Sequence, residues 1–231
     1  MRADALLSQF GYCSRREAPL WIQHGRMQSG GKVVQKPAEK VDAEQVLVDG
    51  QPVPFVHGLY VALHKPLGDT CSHRDCGELV YDLLPQQWLR RSSGLNTVGR
   101  LDRETSGLLL LSDDGRFVHA LTSPKRHVSK VYEFACAEAV PPSAIGLFAS
   151  GTLVLEGEST PCLPARLELT GECTGRLTLQ EGRYHQVRRM LASVGAPVIR
   201  LHRTAIGPLC LQDLGIAPGE WVEIDPGVFN S

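Results

Sequence analysis

The sequence predicts an α+β fold, a small N-terminal unit followed by a larger sheet-bearing domain, and three observations lead there. Leu108 to Leu111 are four consecutive leucines between Gly107 and the turn Ser112-Asp113-Asp114-Gly115, which reads as a strand buried on both faces. Short apolar runs separated by Gly and Pro recur on either side of it, as strands do. One helical stripe is clear: Val187, Met190, Leu191 and Val194 fall on one face, with Gly195 as the stop and Pro197 beyond.

A chain of 231 residues that is 42% hydrophobic can bury a sizeable core. No apolar run approaches the roughly 20 residues of a membrane span. The opening Met1-Arg2-Ala3-Asp4 lacks the apolar stretch of a signal peptide, so a cytoplasmic protein is expected. Seven scattered cysteines do not suggest a disulfide scaffold. Cys71, His73 and Cys76 invite a zinc reading, yet no second Cys/His pair stands at finger-like spacing, and reduced thiols are expected instead.

The net charge of −1 argues at first against a nucleic-acid partner, but its distribution does not. Leu177 to Cys210 carries five arginines, Arg183, Arg188, Arg189, Arg200 and Arg203, against the single acid Glu181. Leu121 to Tyr132 carries Lys125, Arg126 and Lys130 and no acid, whereas the last 21 residues hold four acids and no Lys or Arg. Contact with phosphates needs local positive charge of this kind, not a global excess.

Taken in order, residues 2 to about 49 form the small unit. Arg2 to Phe10 is amphipathic through Leu6, Leu7 and Phe10 and is stopped by Gly11. Ser14 with Glu17 makes a capping-box pattern that opens a second helix. Pro19 follows it closely, and an interior proline costs about 3 kcal/mol unless it lies in the first turn. Val33-Val34 and Val46-Leu47-Val48 are the expected strands. Gly25 to Lys32 has some look of a P-loop, but Val33 follows the lysine and no Ser or Thr is available for Mg²⁺, which excludes a nucleotide hydrolase on that motif. Asp49 to Gly58, with Pro52 and Pro54, is a plausible linker.

Beyond it, Leu59 to His64 is an apolar strand running into Lys65-Pro66 and Gly68. The stretch Gly99 to Gly107 packs Arg100, Asp102, Arg103 and Glu104 against the leucine strand. A carboxylate at the edge of dry core needs a cationic partner or it neutralises. Arg116 to Thr122 is a short helix after Asp113-Asp114-Gly115, halted by Pro124. Lys130 to Phe134 alternates as a strand. Thr152 to Leu155, Cys162 to Leu169 and Arg176 to Leu179 are read as further short strands. The helix then opens from Glu181-Gly182-Arg183-Tyr184-His185. Arg188 lies on the flank of its apolar stripe and can reach a cleft carboxylate.

Gly99-Arg100-Leu101-Asp102, followed by Thr105, Gly107 and a leucine run, resembles the signature of RNA pseudouridine synthases of the small-subunit (16S rRNA) type. Lys130-Val131-Tyr132 and Arg188-Arg189-Met190 match that family's second and third motifs. Residues 2 to 49, with Ser14-Arg15-Arg16-Glu17 and a closing Val-Asp-Gly, resemble an S4 RNA-binding domain. Ala3, Pro19 and Gln28-Ser29-Gly30 depart from the S4 pattern, and His64 stands where the family carries Asn. The resemblance covers essentially the whole chain.

It implies an S4-like domain over 1–57 and a catalytic domain over 58–231, with a mixed, mainly antiparallel sheet in two halves and a cleft between them. It implies Asp102 as the catalytic residue, Tyr132 as the ring that stacks on the flipped base and Arg188 as the cation paired with Asp102. Arg100, Arg103, Arg15, Arg16, Arg26, Lys32, Lys125, Arg126, Lys130, Arg183, His185 and Arg189 are expected to face RNA. Isomerisation of uridine involves no net redox change, so neither metal nor organic cofactor is expected. The implied partner is small-subunit rRNA or an assembling ribosomal particle, with the chain acting as a monomer. Tyr184-His185 favours the small subunit over the large, whose enzymes more often show Asn-Arg. A non-catalytic rRNA-binding assembly factor is the rival from another class, and it leaves the three matched motifs unexplained.

Overall fold

The computed structural model describes residues 1–73 and 77–229. Cys76, which belonged to the excluded zinc reading, lies outside them. In the small unit, α1 (Ala3–Gln9) buries Ala3, Leu6 and Leu7, and α2 (Ala18–Gln23) buries Ala18 and Ile22. Ser14 and Glu17 form the reciprocal capping pair, with Ser14 N–H donating to Glu17 Oε2 at 2.8 Å and Glu17 N–H donating to Ser14 Oγ at 3.3 Å. Because this turn precedes the helix, Pro19 falls in the first turn of α2, where its missing N–H costs nothing. Strands β1 (Met27–Ser29), β2 (Lys32–Val33), β3 (Val46–Val48) and β4 (Gln51–Pro52) pair antiparallel in the order β2-β1-β3-β4. They close over Phe10, Met27, Val46 and Val48.

The segment expected as a linker is partly packed. Its first residues make β4, and Phe55 meets Trp88 edge to face at 5.2 Å. Arg91 ties the two units together. Its guanidinium lies 4.8 Å over the Phe10 ring, donates to the Phe55 carbonyl at 3.0 Å and pairs with Asp113 at 2.6 Å.

The rest of the chain lays down β5 (Tyr60–Lys65), α3 (Gln86–Leu89), β6 (Asn96–Val98), β7 (Thr105–Ser112), α4 (Gly115–Thr122), β8 (Lys130–Cys136) and α5 (Ser143–Ser150). It continues with β9 (Arg166–Leu169), β10 (Thr174–Leu179), α6 (Gln186–Ala192), β11 (Val198–Ile206), β12 (Leu209–Cys210), α7 (Leu211–Leu214) and β13 (Trp221–Glu223). Nine of these strands form one sheet in the order β13-β5-β7-β11-β8-β10-β9, with β6 added on β7 and β12 on β11. Its pairs are antiparallel except β7 with β11, so the sheet is mixed and that one parallel pair is the seam between its halves.

The leucine strand is buried on both faces. Leu109 and Leu111 pack with Trp88, Leu63 and Tyr81, while Leu108 and Leu110 pack with Val98, Leu121 and Ile206 on the other side. Gly107 stands opposite Arg203 at the seam with φ +112°, and a Cβ there would run into the Arg203 backbone. Only glycine lets β11 approach that closely.

The structure differs from the sequence pattern at five places. Thr152 to Leu155 is not a strand, and the strand expected from Cys162 begins at Arg166, because Pro161 and Pro164 supply no ladder donor. The helix expected to open from Glu181 begins at Gln186, because His185 takes a left-handed conformation (φ +49°). Helix α5 was not expected, since Gly146 interrupts its pattern. Nor was β11, where Arg200, His202 and Arg203 break the apolar alternation.

Candidate active site

Asp102 sits on the turn that leads into β7, closed by Thr105 N–H donating to the Asp102 carbonyl at 3.0 Å. The start of the domain grips this turn from one side. Lys65 is fully buried at the end of β5 and donates to the Thr105 carbonyl at 2.9 Å and the Pro66 carbonyl at 2.8 Å. Gly68 N–H donates to the Arg103 carbonyl at 2.9 Å, Arg103 Nε donates back to the Gly68 carbonyl at 3.0 Å, and Leu101 N–H donates to Cys71 Sγ at 3.5 Å. From the other side Arg188, on α6, donates to the Glu104 carbonyl at 2.8 Å and to Val198 at 3.4 Å. Burial lowers the Lys65 pKa, and nearby Cys71, Asp69 and Asp102 oppose that shift.

The expected ion pair between Asp102 and Arg188 is not formed, because the guanidinium is engaged by main-chain carbonyls. The ion-pair contact of Asp102 among the described residues is His185, Nε2 to Oδ1 at 3.3 Å. The left-handed backbone of His185 turns its ring in toward the carboxylate, and Tyr184 stacks on that ring at 3.8 Å. Both side chains of the Asp102–His185 pair are 37% exposed, so the carboxylate is open to solvent from the cavity.

A cavity of about 590 Å³ opens beside this turn, with Asp102, Tyr132, His185 and Arg188 all in its wall. Its apolar lining comes from Val98, Leu101, Leu121, Leu179, Val187, Leu201 and Ile206, not from the four-leucine strand. Arg203, which no sequence motif singled out as a site residue, also lines it. This side chain is 3% exposed, donates from Nε to the Leu108 carbonyl at 2.7 Å and lies 3.4 Å from the Tyr132 hydroxyl, while its Nη2 is buried without a protein partner. It is a buried cation on the strand beside the Asp102 turn. The signal available was an arginine set in a β-branched run between Pro197 and Gly207-Pro208.

The residues expected to face RNA divide into two groups. Arg100 and Arg103 are exposed on the cavity wall, and Lys125 and Arg126 are exposed on the short 3₁₀ turn that includes Pro124 at its rim. Lys130 lines the cavity half-buried, donates to the Val128 carbonyl at 2.9 Å, and has its pKa lowered by burial and by the charge of Arg203. Arg15, Arg16 and Lys32 are exposed on the small unit.

Arg26, Arg183 and Arg189 are otherwise engaged. Arg26 is held bidentately by Asp49 and lies 3.4 Å over the Trp21 ring. Arg183 binds Glu181 at 3.1 Å and the carbonyls of Thr160 and Pro161. Arg189 binds Glu158 at 3.1 Å and the carbonyls of Tyr184 and Glu156. The latter two pin the 156–161 loop to the start of α6. No group of three or more His, Cys, Asp or Glu among the described residues is arranged to hold a metal ion, and no described helix is long and apolar enough to cross a membrane.

The model of a family described as RNA pseudouridylate synthase matches residues 59–193, and that of the S4 domain matches residues 1–47. The ribosomal small subunit pseudouridine synthase A of Pasteurella multocida is 39% identical over 224 residues, spanning 96% of this chain and 94% of that protein. Its Escherichia coli K12 namesake is 39% identical over 226 residues, spanning 96% and 95%. An uncharacterised RNA pseudouridine synthase of Bacillus subtilis is 36% identical over 231 residues, spanning 97% and 95%. A crystal structure of a pseudouridylate synthase superposes with a TM-score of 0.69 at 32% identity, covering 100% of this chain and 98% of that one. Sheet, cavity and full-length similarity agree, and the chain belongs to the RNA pseudouridylate synthase family as an enzyme with an S4 domain at its N-terminus.

Proposed function

We propose that the enzyme converts one uridine of 16S rRNA to pseudouridine, with Asp102 as the catalytic residue. The C1′–N1 bond breaks, the base turns over and a C1′–C5 bond forms. The proton on C5 is lost and one is gained at N1. Asp102 acts as an anion, either attacking C1′ or taking up a sugar proton, and both roles need the ionised form. The target base leaves its stack to enter the cavity, which costs a few kcal/mol, and stacking on Tyr132 recovers part of that. Arg203, in place of Arg188, supplies the buried positive charge beside the reacting groups. Arg100, Arg103, Lys125 and Arg126 line the approach as phosphate contacts, and Arg15, Arg16 and Lys32 extend that contact over the S4 domain.

The observation that carries this reading is the convergence of Asp102, Tyr132 and the buried Arg203 guanidinium on one cavity. The small-subunit target rests on the names of the Pasteurella and Escherichia relatives. A 16S transcript tritiated at C5 of uridine releases tritium to water when the base turns over. Asp102→Asn and Asp102→Ala are expected to release none while binding the transcript nearly as well as wild type. Turnover by either variant overturns the assignment. Release from a 23S transcript alone moves the target to the large subunit, and a wild-type protein that binds but releases nothing is an assembly factor.

A further inference from the structure

Tyr184 lines the Asp102 cavity yet buries little of itself. At 76% exposure it is the most exposed large hydrophobic side chain among the described residues. One face of its ring lies on His185, with centroids 3.8 Å apart and an interplanar angle of 17°. The His185 ring in turn reaches Asp102, Nε2 to Oδ1 at 3.3 Å. Two short contacts therefore connect the Asp102 carboxylate to an aromatic ring whose other face is open to solvent.

The turn that displays this ring is fixed at both residues. The Tyr184 carbonyl accepts from Arg189 Nη1 at 3.2 Å, and the His185 carbonyl accepts from Arg189 N–H at 2.9 Å. Just before them, Arg183 N–H donates to the side chain of buried Gln186 at 2.9 Å, and Gln186 N–H donates to the Arg183 carbonyl at 3.2 Å. His185 is held at φ +49°, a left-handed conformation that a residue other than glycine adopts at some cost. A ring presented on such a turn has little freedom left to lose when a ligand arrives.

The charges around it suit a polyanion. Glu181 and Glu158 are neutralised by Arg183 and Arg189, and Arg100 and Arg103 stand exposed on the same cavity wall. An open aromatic face among cations is the combination that takes up an unpaired nucleobase. A uridine that leaves its stack also deprives each neighbour in the strand of one stacking face. A ring beside the cavity replaces that face, whereas Tyr132 is taken by the target base on the proposed mechanism.

We infer that Tyr184 is the platform on which the nucleotide next to the target uridine stacks when the target enters the cavity. The inference rests on the pseudouridine synthase reading and adds the residue that receives the flanking base. A stack formed on binding and kept in the transition state lowers KM and leaves kcat alone.

Tyr184→Ala, Tyr184→Phe and Tyr184→Trp test this by tritium release from the 16S transcript, with melting temperature as control. Alanine is expected to raise KM about 5- to 100-fold, with kcat within about threefold of wild type. Its melting temperature is expected to stay within about one degree, because the side chain is exposed. Phenylalanine and tryptophan keep the face and are expected to hold KM within about threefold. Short RNAs carrying the mapped uridine with an abasic nucleotide on one side or the other complete a cycle. One of the two is expected to cost wild type the factor that alanine costs, and to cost Tyr184→Ala nothing further. A KM for alanine within about twofold of wild type overturns the inference, as does a loss that phenylalanine does not repair. So do additive costs in the cycle, or a loss confined to kcat, which would mean that the ring acts through His185 on Asp102. Binding of the same RNAs to Asp102→Asn, with and without Tyr184→Ala, reads the stack in the absence of turnover. Turnover by Asp102→Asn overturns the underlying reading instead, and the binding comparison still decides the platform.

Discussion

Arg188 donates to the carbonyl of Glu104 at 2.8 Å, not to the carboxylate of Asp102 two residues earlier. It thereby straps α6 to the turn that carries the carboxylate, opposite the grip of Lys65 and Gly68 on the same turn. On the proposed mechanism its contribution is aim, and small misplacements of a reacting group are costly.

Arg188→Ala is therefore expected to lower kcat about 10-fold and to leave the affinity for RNA within about threefold. Lysine, which keeps one donor, is expected to recover part of the loss. Single-turnover rates at saturating RNA measure it, and an unchanged rate would show that the strap is dispensable.

On the same mechanism Arg203 carries the larger share. Arg203→Met removes the buried guanidinium beside Tyr132 and its hydrogen bond to the Leu108 carbonyl. Loss of a preorganised charge at a reacting centre costs on the order of 10²–10³-fold in kcat, so Arg203→Met is expected to fall well below Arg188→Ala. The reverse order of the two rates would return the cationic role to Arg188.

Arg91 and Asp113 form an ion pair at 2.6 Å with side chains only 3% and 6% exposed. Breaking such a pair from one side costs about 3–5 kcal/mol, because the remaining charge stays buried. Asp113 also accepts from Leu59 N–H and Ser93, and Arg91 reaches Phe10 and Phe55 across the junction of the two units. Arg91→Ala is expected to lower the melting temperature by about 10 °C, read by calorimetry. A change of a degree or less would mean that solvent reaches the pair.

His202 gives a pH signature on the face of the sheet away from the cavity. Burial, then the neighbouring His64 and Arg200, push its pKa below the ordinary histidine value, against a smaller pull from Glu133. Its Nδ1 is 2.8 Å from Ser106 Oγ, and the His64 ring lies 5.5 Å away. With the folded pKa depressed, the unfolded chain takes up the proton first. Stability is thus full above about pH 6.5 and falls as pH drops from there toward the depressed value. Melting temperatures between pH 7.5 and 5.5 are expected to decline less steeply in His202→Gln than in wild type, and parallel slopes would exclude the residue as the source.

Much of this was legible in local pattern. Four leucines in a row bury on both faces whatever surrounds them, the Ser14–Glu17 pair declares its own turn, and the Val187–Val194 stripe marks one helix. The charge cluster from Arg100 to Glu104 fits a solvated loop as well as a site on spacing alone, and only the family resemblance of Gly99-Arg100-Leu101-Asp102 singled out Asp102. Which cation meets which anion was not legible, because it depends on strands far apart in the chain. Arg203 enters the cavity only because β11 lies parallel to β7, and it can lie so close only because Gly107 has no side chain. Arg188 looked free to reach Asp102 on a helical wheel, yet a backbone carbonyl took it first. Local pattern determined the strongly periodic elements, the leucine strand and the Val187–Val194 helix among them; the pairing of partners at the seam of the sheet was decided by tertiary structure, since hydrogen bonds and charges act over a few ångströms of space and not along the sequence.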